Sequence, residues 1–161
     1  MIRISEEPWQ VMVDHARQTY PRECCGVMLG TVPTDGSEKQ VVRAVPVENA
    51  YEGGQEDRYE IRPTDLLKVE REARAAGLSV VGIYHSHPDC GAYFSKTDLQ
   101  NSCPWYSFVV ISIVKGDYNE ANCFLPNADC TQADAEELIV PALSASTSAD
   151  RSGVNSGKEQ D

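Results

Sequence analysis

A chain of 161 residues with 41% apolar and 24% charged residues suits one globular domain with a real core. Its formal net charge of −11 argues against a nucleic-acid partner, because neutralising phosphates calls for a basic face. Residues 1–8 lack the apolar core of a signal peptide and no later stretch could span a bilayer, so the expected setting is the cytoplasm, without a membrane partner.

Ile2–Ile4 reads as a short edge strand. Ser5 then suits a helix cap, with Glu6, Glu7 and Pro8 in the first turn. Trp9, Met12, Val13, Ala16 and Tyr20 follow at helical spacing, and Pro21 closes the element. His15 falls off that stripe and is expected at the surface. Residues 26–29 form a short apolar strand, 33–37 a turn-rich connection and 40–47 a second strand. A polar loop containing Gly53-Gly54 leads to a short strand over 59–61. Pro63-Thr64-Asp65 opens a helix whose Leu66, Val69, Ala73 and Ala76 share one face, and Gly77 ends it.

Residues 79–84 form a buried strand that runs into His85, and a short helix starts at Ser95. Ser107–Val114 is almost continuously apolar, as in a central strand covered on both faces. Gly116-Asp117 turns the chain into a strand over 121–125. Residues 133–140 fit helix and strand equally. Residues 144–161 are poor in large aliphatic side chains and are expected to be a disordered tail, leaving 1–143 as the domain. The chain has no internal repeat. Its six cysteines form no C-x-x-C pair, so they read as reduced thiols rather than a zinc knuckle.

The chemistry concentrates in residues 85–98: His85-Ser86-His87, seven residues, then Ser95-x-x-Asp98. Only three histidines occur in the chain, and two stand here one residue apart. Alternation along a strand points both imidazoles to one side, where they can bind one metal together with Asp98. With Glu23 on Pro21-Arg22-Glu23-Cys24-Cys25-Gly26, the set holds three ligands, a general base and a hydroxyl. Those are the parts of a zinc hydrolase with one coordination position left for water. Ser95-x-x-Asp98 is also a helix capping box, and both roles can hold together. A metallo-β-lactamase would need more histidines downstream, and a zinc deaminase needs Pro-Cys-x-x-Cys. Neither pattern is present.

Glu23, His85-Ser86-His87-Pro88 and Ser95-x-x-Asp98 at these spacings resemble the JAMM motif of MPN-domain metallopeptidases. Residues 45–49, Tyr59-Glu60-Ile61-Arg62-Pro63 and Val80-Val81-Gly82-Ile83-Tyr84 resemble its small prokaryotic branch. The resemblance implies an α/β, cytidine-deaminase-like MPN fold: a curved mixed sheet flanked by two main helices, with a short active-site helix. It also implies one Zn2+ per chain held by His85, His87 and Asp98, with Glu23 as the general base and Ser95 as the oxyanion donor. Ser86 is expected to hold its loop. The implied substrate is a ubiquitin-like or sulfur-carrier protein, cut after its C-terminal Gly-Gly. A silent MPN scaffold and a general small-peptide peptidase are the alternatives, and the presence of all five catalytic positions argues against the scaffold. Cys90, between the ligands, is expected to be a bystander thiol, with a bridge to Cys103 as one other possibility.

Overall fold

The stripe of Trp9, Met12, Val13 and Ala16 lies on α1 (Glu6–Thr19) in the computed structural model, which describes residues 1–143. Ser5 takes the N-cap position in an extended conformation, but its side chain makes no capping bond, so the cap is one of position only. The second helix, α2 (Pro63–Ala75), buries only Val69 and Ala73; Ala76, expected on the same face, is exposed. Gly77 follows with φ 72°, a left-handed conformation that glycine adopts without strain.

Eight strands form a single mixed sheet: β1 (Ile2–Ile4), β2 (Cys25–Thr31), β3 (Lys39–Val47), β4 (Ser79–Pro88), β5 (Ser107–Val114), β6 (Asp117–Pro126), β7 (Ala133–Glu136) and β8 (Leu138–Ile139). Their order is β7-β6-β5-β4-β2-β3-β1-β8. Only Glu137 separates β7 from β8, so the two ends of this order come from one stretch of chain and the sheet curls round to meet itself. The Ile2 N–H donates to the Glu137 carbonyl at 2.9 Å. This arrangement corrects the expectation that β1 is an edge: it pairs in parallel with β3 on one side and β8 on the other. The partner β8 lies at the far end of the domain, where no local pattern in Ile2–Ile4 could reveal it.

One face of the sheet packs Met28, Tyr84, Val109 and Ile111 against Trp9, Met12 and Val13 of α1. The other packs Val27, Leu29, Ile83 and Phe108 against Val69 and Ala73 of α2. Burial of a large apolar side chain stabilises by about 1.5–3 kcal/mol, so α1 is the more firmly anchored helix. Both faces of β5 are covered, as its apolar run suggested. A Cβ on Gly82 would lie 1.8 Å from the Ser107 carbonyl oxygen, so glycine is what lets β4 approach β5 this closely.

Three further expectations change. Residues 59–61 are not a strand, because no neighbouring strand pairs with them; they run as irregular chain towards α2. Residues 133–140 resolve as the strands β7 and β8. The strand read over 79–84 continues to Pro88, so His85 and His87 lie within β4, as the alternation used to align them requires. The expected disordered tail, 144–161, lies outside the described residues. No helix among the described residues is long and apolar enough to cross a membrane.

A candidate metal centre between β2, β4 and α3

The site is assembled by strand pairing. β4 pairs with β2 so that His85 stands opposite Cys25, two residues after Glu23. Ser86 closes this junction: its hydroxyl accepts from the Cys24 N–H at 2.8 Å, and its own N–H donates to the Cys24 carbonyl at 3.2 Å. Alternation sends Ser86 to the opposite side from its neighbours, leaving His85 and His87 on the site side. The expected holding role of Ser86 therefore has a specific form, a clamp between the histidine strand and the segment that carries Glu23 into β2.

Asp98 arrives from the short helix α3 (Lys96–Gln100), where Ser95 is the N-cap. Both halves of the capping box are formed: the Ser95 hydroxyl accepts from the Asp98 N–H at 3.0 Å, and Asp98 Oδ2 accepts from the Ser95 N–H at 3.0 Å. That same Oδ2 is 3.2 Å from His85 Nε2 and 3.2 Å from His87 Nε2, and the two Nε2 atoms are 3.3 Å apart. The cap thus aims the carboxylate as well as starting the helix.

His87 Nδ1 lies 3.0 Å from the Gly91 carbonyl, which can only accept, so Nδ1 carries a hydrogen. In the neutral imidazole Nε2 then presents a lone pair, and a lone pair 3.2 Å from the Asp98 carboxylate suits a shared cation. Four-coordinate zinc, with bonds of about 2.0–2.1 Å, needs donors about 3.3–3.4 Å apart. The His85, His87 and Asp98 triangle has that size, so these three residues could hold one such ion.

Glu23 stands just outside the triangle. It is 1% exposed, and its Oε1 has no hydrogen-bond partner. Donor atoms of Glu23, His85 and His87 lie within 4.8 Å of one another, looser than the triangle that includes Asp98. Burial, then the charges of Asp98 and Asp57, push the Glu23 carboxyl up to about 8. Burial also works to raise Asp98, but its contacts with His85 and His87 outweigh this and hold it well below the usual carboxylate range. Burial lowers His85 against the opposing pull of Asp98. None of these carboxylates is ion-paired to a Lys or Arg among the described residues. The surplus of negative charge suits a divalent cation.

Several contributors were not singled out from sequence. Tyr59 stacks on His85 with ring centroids 4.5 Å apart, and Tyr93 sets its ring edge-on to His87 at 4.9 Å. The Gln55 carbonyl accepts from the Glu23 N–H at 2.6 Å, and Asn49 Nδ2 donates to the Glu23 carbonyl at 3.1 Å. The loop from 48 to 62 therefore fixes the backbone of Glu23 and walls His85. No local pattern around Tyr59 signalled its stacking on His85.

His15, expected at the surface, is half-buried, with Nδ1 2.8 Å from the Tyr84 hydroxyl. A position off the apolar stripe need not face water when a buried tyrosine offers its hydroxyl. All six cysteines are free thiols, so no bridge joins Cys90 to Cys103. Burial raises both the Cys103 and the Cys90 thiols.

Two openings flank the centre. One, of about 130 Å3, is bounded by Glu23, Asp57, His87, Cys90 and Tyr93. The other, a groove of about 560 Å3, runs past Tyr51, Arg58, Tyr59, Ile61, Thr97 and Tyr106.

Residues 5–124 match the family model described as prokaryotic homologs of the JAB domain. The chain is 33% identical over 108 residues to the desampylase of Haloferax volcanii, a match covering 63% of this chain and 73% of that one. It is 38% identical over 89 residues to the CysO-cysteine peptidase of Mycobacterium tuberculosis, covering 55% of this chain and 57% of that one. The chain thus spans little more than half the length of the latter. Among solved structures, a Desulfitobacterium hafniense protein superposes with a TM-score of 0.75 at 28% identity, covering 89% of this chain and 95% of its own. A JAB1/MPN domain protein of Archaeoglobus fulgidus shares the fold, with a TM-score of 0.54 at 16% identity and coverage of 86% and 97%.

Proposed function

This chain belongs to the family of prokaryotic homologs of the JAB domain, and we propose that it is a zinc metallopeptidase acting on the tail of a ubiquitin-like or sulfur-carrier protein. The bond cut is the one after the C-terminal Gly-Gly. The observation that carries the chemistry is the triangle of His85 Nε2, His87 Nε2 and Asp98 Oδ2, with edges of 3.2–3.3 Å. The substrate class is supported by relatives named desampylase and CysO-cysteine peptidase. Six free thiols suit the reducing cytoplasm.

His85, His87 and Asp98 would hold the zinc, which when bound supplies Lewis acidity and an acidified water. Glu23 takes a proton from the attacking water at its unpartnered Oε1 and passes it to the leaving nitrogen. A carboxylate that burial has already made basic is suited to the first half of that transfer. Ser95 Oγ accepts from the Asp98 N–H, and among the described residues its own hydrogen has no acceptor. That hydrogen is available to the substrate carbonyl oxygen as it gains charge. Tyr59 and the Asp98 cap hold the ligands in place while this happens.

The groove beside Tyr59 and Thr97 suits an extended, side-chain-poor tail: glycine, without Cβ, lets the substrate backbone pass closely along it towards the centre. The test is mass spectrometry of a β-grasp carrier extended past Gly-Gly and incubated with the zinc-loaded protein. Cleavage after the second glycine, abolished by changing that glycine to valine, is expected. Equal cleavage of Gly-Gly and Gly-Val tails, or of free peptides as fast as of the whole carrier, would replace this reading with a general peptidase.

A further inference from the structure

The smaller opening remains to be assigned, and its charge is distinctive. Its volume of about 130 Å3 is enclosed by Glu23, Glu56, Asp57, His87, Cys90 and Tyr93 among others, and no Lys or Arg contributes to its wall. At about 30 Å3 per water, that is room for one small amino acid or one extended side chain. Glu56 and Asp57 are exposed, and neither is ion-paired to a Lys or Arg among the described residues. The next residue, Arg58, turns away from the pocket: its guanidinium lies 5.7 Å from the centre of the Tyr51 ring, and it lines the larger groove instead. The loop thus sends its two carboxylates to the smaller opening and its cation to the larger groove.

A second observation shows what the pocket lacks. Glu23, 1% exposed, contributes to the wall, and its Oε1 is without a hydrogen-bond partner. An N–H or an ammonium group entering there would meet one buried, unpartnered carboxylate oxygen and two exposed carboxylates. An entering carboxylate would meet the like charges of Glu56 and Asp57.

Building on the proposed peptidase activity, we propose that this pocket receives the leaving amine and that Glu56 and Asp57 select lysine side-chain amines over amino acids with a free α-carboxylate. Hydrolysis is the same for both. The water oxygen bonds to the carbonyl carbon, the C–N bond breaks, and a proton goes to the departing nitrogen. The surroundings of that nitrogen differ. In a lysine isopeptide the nitrogen is flanked by methylenes, and once released it becomes an ammonium that the pocket attracts. In an adduct of a free amino acid, a carboxylate lies two bonds from the nitrogen and must sit against Glu56 and Asp57.

The test compares three adducts of one Gly-Gly-ended carrier: to the side chain of a lysine in a peptide, to a free amino acid, and to the carboxamide of that amino acid. The last two differ only in charge. At low salt, kcat/KM for the carboxamide and the lysine adduct should exceed that for the free acid about tenfold, as two surface charges at a few ångströms imply. The preference should shrink in about 1 M salt, where screening acts within about 3 Å. It should fall towards one in the Glu56→Gln/Asp57→Asn double variant; a ratio taken within each protein is unaffected by overall loss of activity. Equal kcat/KM in the wild type, or a preference unchanged in the double variant, overturns the subsite. Cleavage without preference removes the subsite alone, whereas no cleavage of any adduct removes the peptidase reading and the subsite with it.

Discussion

Glu136 and Glu23 are both buried carboxylates, 8% and 1% exposed, yet their surroundings are opposite. Glu136 Oε1 accepts from the Ser107 hydroxyl at 2.7 Å, and Oε2 accepts from Lys39 Nζ at 2.9 Å with the chain N-terminus 3.6 Å away. Burial alone would raise Glu136, but Ser107 and Lys39 outweigh it and hold the carboxyl below its ordinary value. Glu23 has an oxygen without a partner, two negative neighbours, and a carboxyl pushed up to about 8. Buried polar groups are ordinarily satisfied, because leaving one unpaired costs about 1–3 kcal/mol. The satisfied cluster pins the N-terminal strands to β5 and β7, while the unsatisfied one tolerates a cost that only a ligand or a reaction offsets.

The sharpest way to break this contrast is to remove a corner of the triangle. His85→Ala or His87→Ala should abolish bound zinc and reduce hydrolysis to background, read by metal analysis and carrier cleavage. Full metal occupancy in the His85→Ala/His87→Ala double variant would end the assignment. The next largest effect is expected at Glu23. Glu23→Gln should retain zinc while turnover falls about 10²–10⁴-fold, the usual worth of a general base. Loss of zinc together with activity would move Glu23 into the ligand set.

Ser95 sits between the two kinds of cluster, since it completes a cap and is also the proposed oxyanion donor. Ser95→Ala should lower kcat roughly 10²-fold through the lost oxyanion donor and cost about 1 kcal/mol through the lost cap. Ser95→Gly separates the two, because glycine is a tolerable cap without a hydroxyl. Normal kcat in the glycine variant would leave Ser95 with a structural role only.

At the satisfied cluster, Lys39→Met should leave kcat unchanged and cost about 3 kcal/mol of stability by stripping a buried carboxylate of its cation. Because the Glu136 pKa is depressed on folding, its contribution is fully present above the ordinary value of 4.5 and is lost as pH falls through the lower folded value. The gap between wild-type and Lys39→Met unfolding free energies should therefore close in acid. A gap independent of pH would show that Lys39 acts through packing instead.

What the sequence disclosed follows the same division. The family, the α/β class, α1, α2 and the buried β5 were legible because each rests on local periodicity or on fixed spacing within a short motif. The alternation of His85 and His87 could be read directly, since β4 carries both on one face. Pairing between distant segments was not legible. Nothing near Ile2 announces β8, and nothing near Lys39 announces Glu136. Tyr59 was read as part of a short strand; that it stacks on His85 instead depends on where the loop returns over the sheet. His15 was misread because the apolar stripe of α1 does not reveal the Tyr84 hydroxyl across the helix–sheet interface.

The most direct test of the contrast is to titrate zinc into protein stripped by a chelator while following cleavage of a Gly-Gly-extended carrier. A site made of three donors with edges of 3.2–3.3 Å should give activity that rises from background and breaks at one equivalent per chain. The Lys39→Met variant should show the same break point, and the His85→Ala/His87→Ala variant none. Full activity in the stripped protein, or a one-equivalent break that survives loss of both histidines, would contradict the account.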